Sequence, residues 1–120
     1  MHRILIADDD ADSMELLREA LTKPNRVLVP ACNGFELIEA LADGGPFDLV
    51  VSDVMMPLMD GFDVALAASR ASLLTPFLFL TGLDGPALAE RARKFSSATV
   101  LRKPVDVRVL REMVSELLGP

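Results

Sequence analysis

The 120-residue chain has no tryptophan, no tyrosine, one cysteine and one histidine. A lone Cys32 cannot close an internal disulfide, which fits a reducing cytoplasm, and it is expected to act as a small buried hydrophobe. His2 lies near the terminus, is expected to be exposed and is given no role. No apolar run approaches the roughly 20 residues that span a bilayer, so no membrane contact is expected. The apolar residues 4–7 are too short for a secretion signal and stop at three aspartates. Positive charge is also scarce. With a net charge of −6 and a pI near 4.6, the chain as a whole repels a phosphate backbone, so direct nucleic-acid binding is not expected. There is no internal repeat, low-complexity tract or linker, and residues 1–120 are expected to form one domain.

Hydrophobic residues make up 51% and charged residues 25%, a globular balance. Short apolar runs at 3–7, 26–31, 47–52, 77–80 and 99–102 read as buried strands. Between them lie segments with helical spacing. Met14, Leu17 and Leu21 share a face, with Asp12 or Ser13 as N-cap and Pro24 beyond the end. Residues 34–42 carry Leu37, Ile38 and Leu41. Residues 62–71 and 87–94 follow, and 106–118 places Leu110, Met113, Val114 and Leu117 inward. Five strand–helix repeats with short links predict a parallel sheet covered on both faces. Periodicity gives that class but not the strand order.

The polar residues that close these strands form a pattern. The first strand ends at Asp8, Asp9 and Asp10, the third at Asp53, the fourth at Thr81 and the fifth at Lys103. In a parallel sheet these ends share one edge, where open α/β sheets carry their chemistry. Converging carboxylates repel one another, and a hard cation such as Mg²⁺ relieves that repulsion. A carboxylate attacking phosphorus needs such neutralisation, and Lys103 and the Thr81 hydroxyl supply further charge and hydrogen bonding. Taken singly, the residues have plainer readings. Asp53 can cap a turn or helix, and Asp8–Asp10 can form an acidic helix start. Thr81 can be a turn residue and Lys103 a solvated charge. Asp8, Asp10, Asp12 and Glu19 also fall at calcium-loop spacing, but Ser13 stands where that loop requires glycine and a strand precedes it.

The aspartates after the first strand, Asp53 with Met55, Met56, Pro57, Met59, Asp60 and Gly61 behind it, Thr81-Gly82 and Lys103-Pro104 together resemble the receiver domain of two-component response regulators. The resemblance spans essentially the whole chain. It implies the flavodoxin-like (βα)5 fold, a five-stranded parallel sheet of order 2-1-3-4-5. It implies Asp53 as phosphoacceptor, with Asp8, Asp9, Asp53 and the Met55 carbonyl around Mg²⁺, and Thr81 and Lys103 on the phosphoryl group. Lys103-Pro104 is expected to be cis. The partners implied are a histidine kinase or histidine phosphotransfer protein as donor and an unidentified downstream protein, with a phosphorylation-dependent dimer as a further implication. No enzymatic turnover is expected. Three departures concern signal output: Val100 stands at the usual aromatic switch position, Val105 follows Lys103-Pro104, and Ser96-Ser97 precede the fifth strand. With a stiff Val100, the signal is expected to travel through the Thr81 loop and residues 87–94. Apolar Met55 and Leu83 flank the approach of water, so slow loss of the phosphoryl group is expected. A non-phosphorylated pseudo-receiver that only binds protein is the rival reading. A phosphatase of the haloacid-dehalogenase type would need a second aspartate at position 55.

Overall fold

The computed structural model describes residues 1–56, 59–82, 90 and 98–119. Five strands, β1 (His2–Ala7), β2 (Arg26–Ala31), β3 (Leu49–Asp53), β4 (Phe77–Thr81) and β5 (Ala98–Arg102), form one sheet of order β2-β1-β3-β4-β5. Every neighbouring pair is parallel. Four described helices accompany it: α1 (Ala11–Leu21), α2 (Gly34–Asp43), α3 (Gly61–Arg70) and α4 (Val107–Leu118). This is the flavodoxin-like order. Of the further helix expected over 87–94 only Glu90 is among the described residues, where it is helical; the rest of that segment and Leu83 lie outside them.

Strand alternation divides the core. Leu5, Ala7, Val50, Phe77 and Phe79 face α2 and α3, which contribute Leu37, Leu41, Phe62, Val64 and Ala68. Ile4, Ile6, Leu49, Val51, Leu78 and Leu80 face α1 and α4, which contribute Leu17, Leu21, Leu110 and Val114. Both faces of each central strand are therefore buried, and the strands read as continuous apolar runs. Phe62 and Phe79 meet edge to face at 4.6 Å between centroids, tying α3 to β4. Met113 and Leu117, expected inward, are half-buried at the margin of the second core.

The caps differ from the expected ones. Asp10, not Asp12 or Ser13, caps α1: its carboxylate accepts from the Ser13 N–H at 3.1 Å and the Ser13 hydroxyl at 2.8 Å. The helix thus starts directly at the end of β1, and the acidic run serves two roles. Asp60-Gly61 reads as turn chemistry but opens α3 through a capping box between Asp60 and Asp63. Cys32 is exposed, not buried, because β2 is an edge strand and the chain has left the sheet by that residue. His2 is half-buried, being the first residue of β1 and paired with Arg26 of β2. Met56 is buried and Met14, Met59 and Met113 are partly buried, but Met1 and Met55 are exposed.

Candidate functional site

Strand register brings the polar residues together. Ala7 pairs with Ser52, so Asp8 and Asp53, each one residue further on, emerge side by side. Asp53 pairs with Leu80, placing Thr81 just beyond it. Thr81 pairs with Arg102, and the Thr81 carbonyl accepts the Lys103 N–H at 2.8 Å. Asp8, Asp53, Thr81 and Lys103 are each held by backbone hydrogen bonding or register to a neighbouring strand.

Asp53 is 7% exposed. Its Oδ2 accepts from Lys103 Nζ at 3.0 Å, and its Oδ1 accepts from the Met55 N–H at 3.2 Å. Asp8 is 2% exposed. Its Oδ1 accepts from the Asp10 N–H at 3.0 Å, while its Oδ2 has no hydrogen-bond partner among the described residues. Lys103 Nζ stands 3.8 Å from that oxygen, too far for a hydrogen bond. Burial, reinforced by the charges of Asp53 and Asp9, raises the Asp8 pKa above the ordinary aspartate value. Burial pulls the Lys103 ammonium down, but its bond to Asp53 and the charges of Asp53 and Asp8 outweigh that and raise it. Lys103 is therefore a permanent cation here. Thr81 is fully buried at the end of β4. The peptide bond Lys103-Pro104 is cis, as the resemblance implies.

Two supporting residues escaped the sequence reading. The Ser52 hydroxyl donates to the Asp53 carbonyl at 2.8 Å within a fully buried strand. A serine in an otherwise apolar run was the available signal. Gly61 comes so close that a Cβ there would lie 2.7 Å from the Asp53 carbonyl oxygen. The loop after Asp53 thus folds back onto the strand end that carries it.

The donor set suits a hard cation. Carboxylate oxygens of Asp8, Asp9 and Asp53 lie within 4.8 Å of one another, and the buried Asp8 Oδ2 lacks a hydrogen-bond donor. An all-oxygen cluster with exposed Asp9 at its mouth fits Mg²⁺, which binds through few carboxylates and retains waters.

The receiver-domain model for response regulators matches residues 4–115. The chain belongs to the response regulator receiver domain family. This receiver domain is 34% identical over 118 residues to the response regulator receiver protein CpdR of Brucella abortus, covering 98% of each chain. It is 38% identical over 95 residues to the transcriptional regulatory protein TcrA of Mycobacterium tuberculosis, covering 71% of this chain and 37% of that protein. Among solved structures, the Vibrio cholerae chemotaxis protein CheY4 superposes with a TM-score of 0.85 at 26% identity, with 98% of both chains covered. Domains of this family are signalling modules and not enzymes in the ordinary sense. No described helix is long and apolar enough to cross a membrane.

The carboxylate cluster makes two results expected in one series of melts. Mg²⁺ at tenfold its dissociation constant should stabilise the receiver domain by about 1.4 kcal/mol, roughly 3–6 °C in Tm. Without metal, the raised pKa of Asp8 fixes the sign of the pH effect. Its contribution to stability is fully present below the ordinary value of 3.8 and is lost as pH rises through the raised one. Asp8→Asn should remove that loss. An unchanged Tm at millimolar Mg²⁺ counts against the cation site, and an unchanged pH profile in Asp8→Asn counts against the assignment to Asp8.

Proposed function

We propose that residues 1–120 form one phosphorylatable receiver domain in which Asp53 accepts a phosphoryl group from a histidine kinase or histidine phosphotransfer protein. The observation that carries this reading is the Asp53 carboxylate, held 3.0 Å from Lys103 Nζ beside a buried Asp8 oxygen that lacks a hydrogen-bond donor. Asp8, Asp9, Asp53 and the Met55 carbonyl would hold Mg²⁺. Bound there, Mg²⁺ would supply positive charge against the phosphoryl oxygens and the carboxylates.

The chain's own groups have distinct tasks. Asp53 is the nucleophile, and its bonds from Lys103 Nζ and the Met55 N–H fix the carboxylate for in-line attack. Lys103 follows the negative charge as it passes from the carboxylate to the phosphoryl oxygens. The Thr81 hydroxyl serves as a hydrogen-bond donor to the phosphoryl group. Asp53 is itself modified, so the domain is a substrate and a switch and does not turn over as an enzyme. Val100 is half-buried against the α2–α3 core, which favours output through movement at Thr81 over the swing of a side chain at position 100. The resulting state changes binding to a downstream protein or to a second copy. Met55 is 58% exposed and apolar, which supports slow loss of the phosphoryl group.

The rival is a pseudo-receiver that keeps the fold without the chemistry. Incubation with acetyl phosphate and Mg²⁺, followed by intact mass, separates the two. The expected result is a gain of one phosphoryl group, absent when the metal is chelated and absent in Asp53→Asn. An unmodified wild-type mass would favour the pseudo-receiver.

A further inference from the structure

β3 is apolar from Leu49 to Val51 and then places Ser52 directly before Asp53. Ser52 is fully buried. Strand alternation turns it to the side of α2 and α3, where its register partners Ala7 and Phe79 also lie. The start of α3 covers it: a Cβ on Gly61 would lie 3.1 Å from the Ser52 Oγ and 2.7 Å from the Asp53 carbonyl oxygen. The hydroxyl is sealed from water, so its partner must come from the protein.

Four hydrogen bonds fix the two peptide units that follow Asp53. The Ser52 hydroxyl donates to the Asp53 carbonyl at 2.8 Å. On the other side of that peptide, the Val54 N–H donates to the Leu80 carbonyl at 3.1 Å. In the next peptide, the Val54 carbonyl accepts from the Gly61 N–H at 3.0 Å, and the Met55 N–H donates to Asp53 Oδ1 at 3.2 Å. This last bond closes an Asx turn through the Asp53 side chain, so the peptides and the plane of the carboxylate are set together. Three of the four donors are backbone amides, and the fourth is the Ser52 hydroxyl.

We infer that Ser52 is a positioning residue for phosphoryl transfer, acting through the Asp53 carbonyl. The inference rests on Asp53 being the phosphoacceptor. In the transfer, an Asp53 oxygen forms the bond to phosphorus, and the bond from phosphorus to the donor's bridging oxygen breaks. The electron pair leaves with that oxygen. In-line attack requires the carboxylate to keep one direction. Without the hydroxyl, the Asp53–Val54 peptide is pinned on its N–H side alone and can rock about that bond. The Met55 N–H then leaves Oδ1, and the carboxylate keeps only Lys103 on Oδ2. The space vacated by one oxygen atom beneath α3 is smaller than a replacement water needs. A serine that merely satisfies its own hydroxyl on the nearest carbonyl makes the opposite forecast: alanine there lowers stability and leaves the rate alone.

Ser52→Ala separates the two. Phosphoryl uptake from acetyl phosphate with Mg²⁺, followed by intact mass, should slow about tenfold through misplacement of the carboxylate. In amide-exchange NMR without donor or metal, the Met55 N–H should exchange about tenfold faster than in the wild type, while the Val54 N–H keeps its protection. Ile4→Val, buried beside Leu49 at the start of β3, loses packing alone and should move neither readout. A Ser52→Ala rate equal to that of the wild type overturns the inference, and so does an unchanged Met55 amide. If the wild type itself gains no phosphoryl group, the phosphoacceptor reading fails, and the Met55 amide still reads whether Ser52 holds the carboxylate.

Discussion

Asp53→Asn should yield a protein that melts higher than the wild type without metal, yet accepts no phosphoryl group. Two carboxylates about 4 Å apart at an effective dielectric of 20 repel by roughly 4 kcal/mol. Asp8, Asp9 and Asp53 are grouped within 4.8 Å, and only Lys103 offsets them among the described residues. Neutralising Asp53 removes the central charge. The amide oxygen can still accept from Lys103, but that bond is no longer charge-assisted at both ends. The net gain should be on the order of 1–2 kcal/mol, and the rise in Tm on adding Mg²⁺ should shrink. Both effects are strongest at low salt, although the burial of Asp53 limits screening. Urea denaturation of both proteins, with and without Mg²⁺, measures them. A variant less stable than the metal-free wild type would mean that the Lys103–Asp53 pair outweighs the repulsion. The site would then be a structural ion pair and not a cluster awaiting a cation. Stability given up for function is common at such sites.

Gly34→Ala should be among the most damaging single-methyl additions to the chain. Gly34 opens α2 with ordinary backbone dihedrals, so the reason is space and not conformational freedom. A Cβ at that position would collide with the carbonyl oxygen of Met59 and lie 2.6 Å from its Cβ. The obstacle is backbone, which yields less readily than the end of a flexible side chain. Met59 belongs to the loop between β3 and α3, and the same loop is held near Asp53 by the Gly61 N–H to the Val54 carbonyl at 3.0 Å. Displacing it strains α2, α3 and the strand end that carries Asp53 together. Overpacking costs about 1–3 kcal/mol where side chains can adjust, so about 3 kcal/mol or more is expected here. That corresponds to a fall in Tm of roughly 10 °C. Phosphoryl uptake should slow as well, since the carboxylate loses its fixed orientation. A loss below 1 kcal/mol in chemical denaturation would show that the loop moves aside at little cost.

How far the sequence reached differs from element to element. Strand composition was decisive. Runs such as Leu49–Asp53 and Phe77–Thr81 are apolar on both faces, and only a sheet covered on both sides buries such strands. The place of the polar cluster was legible for a related reason: Asp8, Asp53, Thr81 and Lys103 each interrupt or close an apolar run, and parallel strands must place those ends on one edge. Helix spacing foretold Leu17, Leu37, Leu110 and Val114 as core residues, because a period of 3.6 fixes a face without reference to the partner.

Other features depend on neighbours that the chain reaches only after folding. The strand order came from resemblance, since alternation is compatible with several orders; hydrogen-bond pairing in the folded sheet decides it. Cys32 is small and apolar enough for a core, but β2 is an edge strand and the chain leaves the sheet there, so the thiol faces solvent. Asp10 displaced Asp12 and Ser13 as N-cap because β1 ends close enough for α1 to begin at once. The roles of Gly61 and Gly34 are close approaches to the Asp53 carbonyl and to Met59, and no local pattern encodes them. The sequence by itself determined the apolar faces that carry Leu17, Leu37, Leu110 and Val114 into the core and which end of the sheet is polar. Tertiary structure decided the register that sets Lys103 Nζ 3.0 Å from Asp53 and leaves one oxygen of Asp8 without a donor, because such distances arise only when separate strands pair.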